Sequence, residues 1–240
     1  MGADMARITK KQLGEVTEWT VMKCAPHSGD KRTGKDRPQR AHGEKVERHA
    51  SNISRAKARI KEYALCNRWR WFVTLTIDPK KYDRTALEAF YNDFAAFIHS
   101  RKRKSDIRYL VIPEYHADKQ SYHFHALMDG IPIDEIQVVN GRLNWLPYYE
   151  RFGFSMLEPI QDATRCAFYM TKYITKDLGQ AVPAGGQLFR VSKGLARARV
   201  LTSHDELISG EEFAADMREY EALETQEYET EYIRKKSLRS

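Results

Sequence analysis

The stretch Tyr122-His123-Phe124-His125-Ala126-Leu127-Met128 restricts this chain more than any other. Read as a β-strand, its side chains alternate between faces, so His123 and His125 share one surface while Phe124 and Ala126 enter the core. Two imidazoles held on a rigid strand make a metal half-site, because neutral imidazole is a common ligand for divalent ions. The triplet alone does not set a function. It asks what stands beside it.

Trp69 to Ile77 is rich in aromatic and β-branched residues and stops at Asp78-Pro79, which predicts a strand. From Arg84 to Ser100 apolar residues recur at spacings of three and four and predict an amphipathic helix. Ile107 to Glu114 predicts a second strand, and Ala117-Asp118-Lys119-Gln120 a turn leading into the histidine strand. The resulting hairpin brings Glu114 beside His123 and His125, with His116 as the competing ligand. Two imidazoles and a carboxylate leave positions open on a divalent ion, as catalysis requires. A basic helix is expected from Ser54 to Leu65, a short helix near Ile133 to Val138, a strand from Phe154 to Pro159, and an edge strand from Gln187 to Val191. Aromatic loops are expected between Trp145 and Phe154.

Asp162 to Asp177 predicts one helix with two chemically distinct faces. Ala163, Ala167, Met170 and Ile174 form an apolar face; Tyr169, Lys172, Tyr173 and Lys176 fall at i, i+3, i+4 and i+7 on another. A phenolate can attack phosphorus and a nearby ammonium can steady the charge. The same face also suits tyrosines packed at the core edge beside solvated lysines.

Charge enters here because the proposed chemistry needs a substrate. The net charge is +7, and between Lys31 and Arg70 thirteen Lys or Arg stand against four Asp or Glu. A further basic run, Arg101-Lys102-Arg103-Lys104, follows the predicted Arg84–Ser100 helix, and Lys193 to Arg199 reads as a basic loop. From Ser203 to Glu231 eleven acidic residues face Arg218 alone. A basic body suits a polyanion such as nucleic acid. The domain plan is therefore a mobile basic segment over 1–52, a catalytic domain over 53–200 and an acidic helical tail over 201–240. Three scattered cysteines and the lack of an apolar leader or spanning segment fit a reducing cytoplasm and no membrane.

Phe72-Val73-Thr74-Leu75-Thr76, His123-Phe124-His125 and Tyr169-Met170-Thr171-Lys172-Tyr173 together resemble the three ordered motifs of rolling-circle replication initiators, the HUH endonucleases. The resemblance covers roughly Trp69 to Asp177. It implies an α+β fold in which helices flank a central antiparallel, ferredoxin-like sheet, with Phe72 to Thr76 near the sheet centre. It also implies Mg²⁺ or Mn²⁺ on His123, His125 and Glu114, Tyr169 as nucleophile, and Lys172 as a phosphate-positioning cation. Tyr173 becomes a second nucleophile if the chain is of the two-tyrosine type and a packing residue if it is of the one-tyrosine type. The implied partner is single-stranded DNA or an origin hairpin, nicked to leave a 5′-phosphotyrosine and a free 3′-hydroxyl, and later rejoined. A single-strand transposase has the same motif order and is the nearest alternative; a non-catalytic DNA-binding protein is the other. No G-x-x-x-x-G-K-[ST] occurs, so unwinding is expected from a separate helicase acting with host replication proteins. Trp69, Trp71 and Tyr122 are the candidates for base stacking, and Arg101, Lys102, Arg103, Lys104 and Lys176 for phosphate contact.

Overall fold

The computed structural model describes residues 7–22, 50–101, 103–116, 120–182, 186–203, 225–229 and 233–239. Strands β1 (Arg7–Leu13) and β2 (Val16–Met22) come first, then helix α1 (Ala50–Cys66), β3 (Trp71–Leu75) and α2 (Leu87–Ser100). β4 (Arg108–Tyr115) and β5 (Tyr122–Asp129) follow, then β6 (Ile136–Val139), β7 (Arg142–Trp145), α3 (Leu146–Arg151) and β8 (Ser155–Pro159). The remaining elements are α4 (Ala163–Met170), α5 (Lys176–Ala181), β9 (Arg190–Val191), β10 (Arg199–Ser203), β11 (Thr225–Glu229) and β12 (Ile233–Arg239). No helix among the described residues is long and apolar enough to cross a membrane.

Two units divide the chain. One joins Met1–Ala41 to Arg197–Ser240; the other is His42–Ala196. In the first, an antiparallel sheet runs β10-β1-β2-β12-β11. This corrects the expectation of a mobile arm at one end and an acidic helical tail at the other, as far as those segments are described. Gly14, at φ 60°, opens the two-residue turn between Leu13 and its partner Val16. The β11–β12 register pairs positions 227 with 236 and 229 with 234, so residues that read as an acidic helix form a strand. Residues 1–6, 23–49, 204–224 and 230–232, and with them the rest of both expectations, lie outside the described residues.

The second unit is the α+β architecture that the resemblance implied. Its antiparallel sheet runs β8-β3-β5-β4-β9, with β9 the short edge strand. Phe124 faces α2, its ring stacked 4.2 Å from that of Phe90, and Phe94, Phe97, Tyr148 and Phe152 extend this aromatic layer through α2 and α3. Burying each such ring is worth about 1.5–3 kcal/mol. On the other face α1 packs against α4, and α1 and α5 both reach β4. Ala56, Ile60 and Ala64 of α1 and Ala167 and Met170 of α4 are buried there, as helical spacing predicts.

The helix predicted over Asp162–Asp177 is instead broken. Asp162 caps α4 by accepting from Arg165 N at 2.8 Å; Thr171 to Tyr173 form a 3₁₀ turn, and Thr175 caps α5 by accepting from Leu178 N at 3.1 Å. The hydroxyl of Thr171 donates to Phe168 O at 2.8 Å, so two threonines bind backbone that a continuous helix would use. Ile133–Glu135 is likewise only a 3₁₀ turn, since the residues after it pair in the β6–β7 hairpin.

Gly153 fixes the lower end of β3. At φ +145°, its added Cβ would lie 2.5 Å from both Asp78 N and Thr76 O, where backbone bonds from Thr76 N to Phe154 O and Asp78 N to Phe152 O, each 2.8 Å, prolong the β3–β8 ladder.

Candidate active site

Pairing places the site. Glu114 of β4 lies opposite His123 of β5, and Thr74 of β3 opposite His125, so all four side chains share one sheet face. The Oε2 of Glu114 is 2.7 Å from Nε2 of His123 and 2.7 Å from Nε2 of His125, and the two imidazole nitrogens are 3.2 Å apart. One ligand atom from each residue lies within 4.8 Å of the others, so the three could hold a metal ion. His116 is exposed and meets His123 only ring edge to ring, at 4.8 Å between centroids. Three donors converging from a rigid hairpin, with no fourth side chain closing the set among the described residues, suit a catalytic rather than a structural ion.

Burial prepares both imidazoles as ligands. It lowers the pKa of His125 to about 4 and that of His123 below the usual histidine value, outweighing the attraction of Glu114, so both rings are neutral near pH 7. The Nδ1 of His125 lies 3.4 Å from the Thr74 hydroxyl, the kind of outer contact that fixes a ligating ring. The Nδ1 of His123 is buried with no hydrogen-bond partner among the described residues.

The end of α4 and the following turn carry the tyrosines to this cluster. Tyr173 lies flat on His125, ring centroids 3.7 Å apart at 15°. Tyr169 meets Tyr173 edge-on at 5.4 Å and Phe72 at 6.0 Å, and Phe72 stacks on His125 at 5.7 Å. The two phenols share a hydrogen bond, and burial followed by that bond drives the Tyr173 pKa upward, with Glu114 adding to the shift. Tyr169 is 45 % exposed, making it the phenol that solvent and substrate reach more freely. Nζ of Lys172 sits 5.1 Å from the Tyr169 ring centroid.

Residues 70–178, which hold every side chain just described, match the family model of replication-associated proteins ORF2/G2P. This stretch is similar to the replication-associated ORF2/G2P family. A search of curated proteins and one of solved structures found no match.

Several DNA contacts expected of this domain fall elsewhere. Trp69, Trp71 and Tyr122 are 8, 6 and 7 % exposed, so their rings belong to the core and offer no face to a base. Arg101 pairs with Glu135 and lies over the Phe97 and Trp145 rings, a packed cation rather than a free one. Arg103 and Lys104 are exposed but precede β4, whose far end bears Glu114; six residues of strand, about 20 Å, separate the two ends. Lys102 lies outside the described residues, and Lys176 begins α5, beyond the break, rather than continuing the tyrosine face. The sequence places Phe72 and Thr74 in a central strand but gives them no role in the site, although their two-residue spacing matches that of the histidines. Only the register shows that the two pairs face the same way.

Proposed function

We propose that the replication-associated domain nicks and rejoins single-stranded or extruded origin DNA, with Tyr169 as the first nucleophile. The observation that carries this reading is the stacking of Tyr173 on His125 with Tyr169 5.4 Å beyond it, which joins the phenols to the one His/His/Glu cluster found among the described residues. The Tyr169 oxygen bonds to phosphorus, the P–O3′ bond breaks, the phenolic proton is released to solvent, and the departing 3′ oxygen gains a proton. The products are a 5′-phosphotyrosine and a 3′-hydroxyl able to prime synthesis. Because the bond energy is retained, a later 3′-hydroxyl reverses the step and seals a strand without ATP.

Glu114, His123 and His125 would hold a divalent ion such as Mg²⁺ or Mn²⁺, which when bound draws off the charge that develops on the scissile phosphate. Lys172 places an ammonium beside the Tyr169 ring, where it offsets charge on the phosphate that Tyr169 attacks. Tyr173, whose hydroxyl is held by Tyr169 and resists ionisation, serves as the second nucleophile once the first is esterified and its hydrogen bond is released. The test is a denaturation-resistant adduct between the protein and labelled single-stranded DNA in Mn²⁺. Cutting without any adduct would favour water as nucleophile; cutting that persists in EDTA would remove the metal role.

A further inference from the structure

Across the site-bearing face of the central sheet, burial falls in one direction. In the row Ile112–His125–Thr74–Met156, Ile112 is 0 % and His125 7 % exposed, whereas Thr74 and Met156 are only half-buried. In the neighbouring row Leu110 and Leu127 are sealed, Phe72 is half-buried and Glu158 exposed. The opposite face shows no such gradient: Val73, Leu75 and Leu157 are all buried beneath the aromatic layer. Among the described residues α1, α5 and the tyrosine turn reach β4, and the β3–β8 half of the site face is the more exposed floor, met at Phe72 by Tyr169. This floor is continuous with the candidate site, since Phe72 touches both His125 and Tyr169. Beyond Met156 the ladder leads to Phe154, whose ring meets Tyr149 at 6.5 Å, and Nζ of exposed Lys81 lies 4.7 Å over the Tyr149 ring.

We infer that this β3–β8 floor seats the bases of the strand whose phosphate enters the site, with Phe72 and Met156 nearest the scissile bond and Phe154, Tyr149 and Lys81 farther along. The inference rests on the proposed DNA substrate and says where its bases lie. An apolar strip through Phe72, Met156 and Phe154, with Thr74 within it and the Tyr149 ring and Lys81 at its end, matches single-stranded nucleic acid, whose bases stack while its backbone follows positive charge. It does not match duplex, whose bases are already stacked on one another.

Binding is measured on the full chain in EDTA, without cutting, by the anisotropy of a labelled oligothymidylate and of the same oligonucleotide carrying consecutive abasic sites. The native protein binds the abasic DNA at least about fivefold more weakly. Phe154→Leu and Met156→Ala bind intact DNA more weakly than native protein does and lose part of the discrimination against abasic DNA. Arg103→Ala, at the other end of the sheet, retains it. Equal affinity of native protein for the two DNAs overturns the inference without relying on any variant's folding, and so do floor variants that keep the native ratio. If the ratio holds but no covalent adduct forms in Mn²⁺, the base floor stands and the nicking reading fails; an adduct with no ratio gives the reverse.

Discussion

The two faces of the central sheet are built from the same five strands and do opposite things. One face turns Val73, Leu75, Phe124 and Leu157 into a sealed aromatic core under α2 and α3; the other carries Glu114, His123 and His125 and is only partly covered. A strand places alternate residues on the two faces, so β5 builds core with Phe124 and chemistry with the histidines on either side of it. Rigidity needed by the site thus comes from the packing directly behind it.

The largest separation of the two faces comes from truncating each. Phe90→Ala removes a fully buried ring stacked on Phe124 and should cost about 3–5 kcal/mol in chemical denaturation; a loss below about 1 kcal/mol would deny the aromatic face its structural role. His125→Asn should weaken divalent-metal binding, read by titration calorimetry, by at least about tenfold while changing stability by less than about 1 kcal/mol. Unfolding together with metal loss would instead make the site face part of the core.

pH sharpens the contrast with opposite signs. His125 is held near 4 in the fold but titrates at its ordinary value when unfolded, so in chelator the unfolded state takes up the proton first and stability should fall as pH drops from 6.5 towards 4. Asn at position 125 should flatten that slope in thermal melts. On the other face burial raises Tyr91 and Tyr148 well above 10, so the unfolded chain ionises first and stability should fall as pH rises through 10. The smallest effect is Tyr148→Phe. It deletes a buried hydroxyl that has no hydrogen-bond partner among the described residues, so stability should rise by about 1 kcal/mol and the alkaline slope should shrink.

What could be read from the sequence followed the same division. Aromatic and β-branched richness located β3, an apolar run β4, alternation β5, and spacings of three and four α1 and α2, because burial imposes them; the expected hairpin brought Glu114 to His123, one residue opposite the other. The stacking candidates failed because an aromatic side chain reads alike whether it faces solvent or core. Trp71 and Phe72 are adjacent, and only the register assigns Phe72 to the site. The Asp162–Asp177 segment kept its helical spacing through Ile174, but Thr171 and Thr175 gave their side chains to local backbone bonds, which periodicity does not register. At the termini, charge density obscured strand alternation. The order of motifs still led to the replication-associated family, whose model matches 70–178.

Central to the proposed function is the phenol of Tyr169, at the end of α4, attacking DNA beside the His/His/Glu cluster. Its most direct measurement is the yield of denaturation-resistant protein–DNA adduct formed on labelled single-stranded origin DNA in Mn²⁺. Native protein should form it, Tyr169→Phe should lose most of it, and Tyr169→Phe with Tyr173→Phe should form none. Undiminished adduct in the double variant would contradict the account.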